Sequence, residues 1–384
     1  MDPTAAAPVA SAHVAQGERS RDQHPAASEW PVQLVLDEVW LRARRGLVQE
    51  LERRGLWPER ARYRRYMGAQ RELGERLRQS LLVPAIGEAD AALLGSETPF
   101  GPANQRVRDR VPVVLAFGHE LGAALCDVVA ADAGTGGAVA ERCAMFNLGV
   151  SLFDVVCDSC PDLQPRLVAA FDERMLAELT QGLRPVRDFV RTADDEATPE
   201  LRVLLKIIAA FFDLGPVHTD DPERLPSLLR RAYRAELAAS HSEAWKQLGA
   251  FEIAQIKSML PFAVIAEIVR GAAGLGEDAS RLLTRLADDV GRVFWLTDDL
   301  VDAVPDFCGG AVNALLLDHS DGASADQGEP LRRALDLGRL EAAAEEVGAR
   351  LADALDALTE ARTDPVAIAR MGDALMCYTR DWLQ

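Results

Sequence analysis

Phe294-Trp295-Leu296-Thr297-Asp298-Asp299-Leu300-Val301-Asp302 is the stretch on which the reading of this chain turns. It follows Leu283, Leu286, Val290 and Val293, which recur at the helical period and mark a core helix. Three carboxylates then interrupt the apolar pattern near the C-terminal end, with Asp298 and Asp302 four residues apart and therefore on one face. That end of a helix already carries partial negative charge, and acids on an apolar helix are costly to bury alone. A positive partner is expected, and a hard divalent cation that also holds phosphate oxygens suits the donor type. A solvated helix end would give the same D-D-x-x-D string, so the cluster by itself does not decide.

A second cluster lies about 140 residues earlier. Asn147-Leu148-Gly149-Val150-Ser151-Leu152-Phe153 is apolar and rich in small residues, and it delivers Asp154 and Asp158 one turn apart, with Asp162 just beyond Pro161. Two helices that each end an apolar stretch in acids fit the mouth of a bundle cavity.

The rest of the chain bounds the reading. It has 384 residues, 48% of them hydrophobic, enough for a large core. A formal net charge of −18 excludes a general nucleic-acid or anionic-membrane binder, which needs a basic footprint. Six cysteines do not make a disulfide framework in a chain this long, and the lone Cys157–Cys160 C-x-x-C has no second pair to complete a zinc site. Reduced cysteines and a cytoplasmic location are expected. No apolar run is expected to reach the roughly 18 to 20 residues of a membrane span. Residues 1–29 carry an Ala/Pro/Ser/Gln composition that reads as a disordered leader without a secretion signal. Residues 30–384 read as a single all-α domain.

Within it, helices are expected at about 59–82, 107–132, 138–159, 163–182, 199–214, 223–247, 249–274, 278–304, 330–359 and 364–383, after a first one beginning near Trp30. Gly134-Thr135-Gly136-Gly137 is read as a break, and 84–104 as a loop. β signals are almost absent.

With the two clusters in view, a family resemblance becomes specific over roughly residues 105–320. Gln255-Ile256-Lys257-Ser258-Met259-Leu260-Pro261-Phe262 resembles the lysine helix of the trans-isoprenyl diphosphate synthases. Leu286 to Asp302 resembles their second aspartate-rich segment, and Asp154-Val155-Val156-Cys157-Asp158 their first. The resemblance implies a class I isoprenoid-synthase bundle around a central apolar cavity. Asp154, Asp158, Asp298, Asp299 and Asp302 would hold Mg²⁺, three ions in this family, with Mn²⁺ an acceptable substitute. Lys257 would bind diphosphate. Phe153, Phe262, Phe294 and Trp295 would line the cavity beside an allylic cation. Gly149 and Val150, small and about one turn before Asp154, would leave that cavity deep and favour a substrate of fifteen carbons or more.

The chain also departs from the family. Val155 stands where a second aspartate is usual, and the arginine pair that follows the first cluster is replaced by Cys160-Pro161-Asp162. The glycine-lysine segment that holds isopentenyl diphosphate is missing; Arg106 and Arg110 are its nearest substitutes. Trp295 replaces a glutamine. The expectation is therefore a terpene synthase that ionises one prenyl diphosphate. A prenyltransferase with isopentenyl diphosphate or another acceptor, and a non-catalytic partner subunit, are the alternatives. A homodimer is compatible with the family. His119 reads as a satisfied core histidine, Asp288 and Asp289 as a helix face or hinge, and Tyr378 and Arg380 as a weak match to residues that close the site.

Overall fold

The computed structural model describes residues 31–94, 104–170, 173–186, 198–214, 221–239, 250–309, 313–316 and 329–383. Among them every regular element is helical. The chain begins with α1 (Val32–Arg53) and α2 (Arg60–Leu77), which runs on through a π turn at Arg78–Leu82 into α3 (Val83–Ile86) and α4 (Glu88–Leu93). The long central helices are α5 (Asn104–Val128) and α6 (Ala133–Ser159), followed by short α7 (Gln164–Ala170) and α8 (Glu173–Thr180). Then come α9 (Pro199–Asp213), α10 (Arg224–Ala239), α11 (Ala250–Ala273) and α12 (Glu277–Gly309). The last three are α13 (Glu329–Asp336), α14 (Arg339–Glu360) and α15 (Pro365–Trp382).

Apolar spacing explains the arrangement. α5 and α6 are apolar nearly all round and pack most extensively on each other, as helices at the centre of a bundle must. Small residues let them approach. A Cβ on Gly118 would lie 2.5 Å from the Cys143 carbonyl oxygen, and one on Gly122 2.8 Å from the Cys143 side chain. α11 packs against α5, α6, α10 and α12, while α12 is flanked by α1, α14 and α15. Their buried apolar side chains form one contiguous core running from Val35 to Leu383.

Caps set several boundaries, and some correct the sequence reading. The glycine-rich segment at 134–137 is not a break but the first turn of α6. Asp132 accepts hydrogen bonds from the Gly134 and Thr135 backbone N–H groups, which offsets the cost that glycine imposes on a helix. The single helix expected over 330–359 is two, because Gly338 adopts φ 62° between α13 and α14. The described parts of the one expected over 163–182 are α7 and α8, with 171–172 outside the described residues. α12 continues to Gly309, so the aspartates stand about two turns inside the helix rather than at its end. The extent to 247 expected for α10 falls beyond its described residues, as does the leader.

α5 departs from the expectation as well. Arg110–Val128 is 19 residues long with mean hydropathy 1.5, long and apolar enough to cross a membrane, although polar Arg110, His119 and Glu120 interrupt it. In this fold 72% of that window is buried inside the bundle.

Candidate functional site

Both aspartate-bearing segments interact with Lys257 of α11. Asp154 on α6 accepts a 2.5 Å hydrogen bond from the Lys257 ammonium on α11. Glu236, on the neighbouring α10, places Oε2 3.3 Å from the same Nζ. Lys257 and Asp154 are about one-third exposed, whereas Glu236 is buried. Burial, opposed by Lys257 and reinforced by Asp154, pushes the Glu236 carboxyl well above its usual range.

Across from this group, α12 presents Asp298. Its Oδ1 accepts a 3.0 Å hydrogen bond from the Trp382 indole N–H at the end of α15. Burial, with Asp302 repelling from one turn on, raises its pKa to about 7; Lys257 and Trp382 oppose the shift. Lys257 on α11 therefore bears on both clusters. Asp302 and Asp306 are partly exposed on the following turns.

Asp299 is turned elsewhere. Only 6% of it is exposed, its Oδ2 accepts from the Ala314 backbone N–H at 3.1 Å, and its carbonyl accepts from the Asn313 amide at 2.8 Å. The same Asn313 amide donates to Asp306. Asp299 thus ties α12 to the 313–316 segment. Burial, then repulsion from Asp298, pushes its carboxyl well above the ordinary range.

The aromatic surroundings divide along the same helical faces. Phe294, four residues before Asp298, stacks on Phe262 at 5.4 Å between centroids and 12° between planes. Phe117 lies 5.1 Å from Phe294, Tyr378 4.5 Å from Phe117, and Trp382 5.6 Å from Phe294. These rings fill the interior next to Asp298. Trp295 belongs to the other face. It is buried beside the Asp299 carboxyl and approached by the Arg292 guanidinium at 6.0 Å, so it does not flank Asp298 as the sequence leads one to expect.

Gly149 and Val150 do not leave space either. A Cβ on Gly149 would stand 3.3 Å from Ile208 Cγ1 and 3.9 Å from Ile207 Cγ2, so its smallness serves the packing of α6 on α9. Val150 is buried, and Phe153 packs on Tyr233 at 4.8 Å. One concavity among the described residues is bordered by Arg60, Tyr63, Arg64 and Arg380. Another is bordered by residues of α10, α11 and α12 from Arg224 to Asp288, and neither lies between the aspartates.

Asp158 has its backbone in α6, but its side chain lies outside the described residues, as does that of Arg106; Arg110 is exposed. Asp162 is exposed. Asp289 is buried and binds Arg350 at 3.2 Å, linking α12 to α14. His119 is half-buried with Nδ1 lacking a hydrogen-bond partner, and burial lowers its pKa, so it is a neutral histidine that is not fully satisfied. Tyr378 donates to Gln70 at 3.2 Å within the core. Cys157 and Cys160, like the other cysteines, form no disulfide among the described residues.

Sequence reasoning missed Glu236 and Trp382. Glu236 was findable: Leu225, Leu229, Ala232, Tyr233 and Glu236 follow one buried stripe of α10, and a glutamate on such a stripe asks for a partner. Trp382 carried no signal, since its role depends on where the last helix ends against α12.

The donors in view are carboxylate oxygens from two facing helices, which suits a hard cation. Among the described residues no three histidine, cysteine or acidic side chains converge as a metal centre, Asp158 standing outside that set. Comparison of the chain with protein-family models, with curated proteins and with solved structures finds no match in any of the three.

Proposed function

We propose that this chain is a Mg²⁺-dependent class I terpene synthase that ionises an allylic prenyl diphosphate. The observation that carries the reading is the Asp154–Lys257–Asp298 relation. Lys257 contacts Asp154 and acts electrostatically on Asp298, which lies beside stacked aromatic rings.

Asp154, Asp298 and Asp302, with Asp158, are the residues that would hold Mg²⁺. Bound there, the metal would supply the positive charge that makes diphosphate a competent leaving group. Lys257 would exchange Asp154 for a diphosphate oxygen, adding a fixed ammonium to the same face. Trp382 holds Asp298 through its indole N–H and fixes the orientation of that carboxylate. Phe294, Phe262 and Phe117 offer ring faces to a nearby carbocation and exclude water from it. The reading requires Phe262 and Phe294 to part and admit a hydrocarbon tail. With Gly149 packed on Ile208, the depth inferred for a substrate of fifteen carbons or more loses its structural support, and ten carbons stands equally.

The close stacking of Phe262 on Phe294 favours a second reading: a partner subunit that keeps the bundle and has lost the chemistry. The deciding assay incubates the chain with ten-, fifteen-, twenty- and twenty-five-carbon allylic diphosphates and Mg²⁺, with and without isopentenyl diphosphate. Diphosphate and a hydrocarbon or alcohol from the allylic substrate alone support the synthase. Chain lengthening only when isopentenyl diphosphate is present identifies a prenyltransferase, and silence throughout supports the subunit.

A further inference from the structure

A basic pocket lies on the other side of the C-terminal turn of α15. Arg60 and Arg64 project from the first turns of α2, Tyr63 lies between them, and Arg380 comes from α15; together they border a concavity of about 280 Å³. Arg380 is held rigidly. Its guanidinium sits 4.8 Å from the ring centroids of both Trp57 and Tyr63, and Nη1 donates to the Pro58 carbonyl at 2.6 Å. Its Nε is buried with no hydrogen-bond partner.

Arg60, Arg64 and Arg380 make no ion pair among the described residues, in a chain whose formal net charge is −18 and whose other arginines, such as Arg62 with Asp373, are often paired with acids. The N-terminus of α2 has no side-chain cap, so its first-turn N–H groups add to the positive field. Asp381 lies beside the pocket, its Oδ1 accepting from the Tyr63 hydroxyl at 2.7 Å. Three guanidiniums around one concavity, one of them preorganised between aromatic rings, match a planar-fork recogniser of phosphate oxygens.

We propose that Arg60, Arg64 and Arg380 form a binding site for a phosphate-class anion carrying two or more charges. The site is separate from the aspartates and does not rest on the terpene synthase reading. Trp382, two residues after Arg380, faces Asp298 instead.

The test is calorimetric titration of the full chain with inorganic diphosphate at low ionic strength in EDTA, which removes any metal-bridged binding at the aspartates. Saturable one-site binding is expected. It should weaken at least about tenfold in the Arg60→Gln/Arg64→Gln double variant, since each guanidinium supplies charge-assisted hydrogen bonds. Arg60 and Arg64 have no partners among the described residues, so the melting temperature should be unchanged. Arg380→Lys keeps the charge, loses the fork and should give an intermediate affinity. A parallel arm measures co-sedimentation with phosphatidic acid vesicles, whose phosphomonoester can carry two charges: arginine-dependent sedimentation without binding of free diphosphate would assign the phosphate to a lipid headgroup. Binding of neither probe, or equal binding by the double variant, overturns the proposal.

Discussion

The two acidic ends of the bundle solve the same electrostatic problem in different ways. On α6, Asp154 is partly exposed and is neutralised by a lysine at 2.5 Å. On α12, Asp298 receives only an indole N–H and a more distant ammonium, and its carboxyl is raised to about 7. One carboxylate is matched by a cation the protein supplies; the other keeps its proton up to neutral pH. Asp298, held by an indole N–H rather than a cation in contact, is poised for positive charge from outside, whereas Asp154 already meets the group that would bind an anion.

Lys257 serves both sides, so its removal should have the largest effect. Lys257→Ala should lower diphosphate release by about a hundredfold or more, the usual cost of losing electrostatic stabilisation where charge develops. It should also destabilise the fold by roughly 1–2 kcal/mol, because Asp154 loses its partner; partial exposure keeps the cost below that of a fully buried pair. Chemical denaturation and single-turnover kinetics would measure the two. A variant with unchanged rate would detach the lysine from any reaction.

Asp154→Asn and Asp298→Asn should both reduce turnover about a hundredfold, yet shift stability in opposite directions. Asp154→Asn removes an ion pair and should cost on the order of 1 kcal/mol. Asp298→Asn removes a carboxylate that resists ionisation and should raise stability above pH 7 by a similar amount, about 1 kcal/mol. Equal shifts of the same sign would erase the contrast between the two helices.

The pH dependence follows with a defined sign. A carboxyl whose folded pKa lies above its unfolded value binds more protons when folded, so its contribution to stability is full in acid and is lost as pH rises. For Asp298 the window runs from about 3.8 to about 7, and Asp299 shifts in the same direction. Denaturant midpoints measured across that range should therefore decline less steeply in Asp298→Asn than in the wild type. Added Mg²⁺ should release protons within the same window. An identical slope in variant and wild type would show that Asp298 titrates normally.

The smallest effect is expected at Glu236. With its carboxyl pushed well above the ordinary range, its replacement by glutamine should change the rate by less than about threefold and stability by about 0.5 kcal/mol or less, the range of a near-isosteric change between groups with similar hydrogen-bonding capacity. A large loss would show that its ionised form matters and that Lys257 is shared between two carboxylates.

Much of this contrast was legible in the sequence. Periodic apolar residues marked the long helices, and the acids on them were conspicuous because they broke that pattern. The family resemblance singled out Lys257 as a diphosphate ligand; its contact with Asp154 comes from the structure. What the sequence could not convey was rotation and contact. Asp298 and Asp299 are adjacent in the string, but roughly 100° of helical turn sends one toward Trp382 and the other toward Ala314. Trp295 follows Asp299 for the same reason. Gly149 looked like empty space, but a small side chain marks a close helix approach as readily as a cavity, and Ile208 is what it meets.

The central claim is that the two acidic ends act as one site around Lys257. A double-mutant cycle of Asp154→Asn and Asp298→Asn, read as Mg²⁺-dependent diphosphate release from an allylic diphosphate, tests it most directly. The prediction is strong non-additivity: release that stops in EDTA, and a double variant scarcely slower than either single one. Losses that multiply, or a wild-type chain that releases no diphosphate from any of the four substrates, would contradict it.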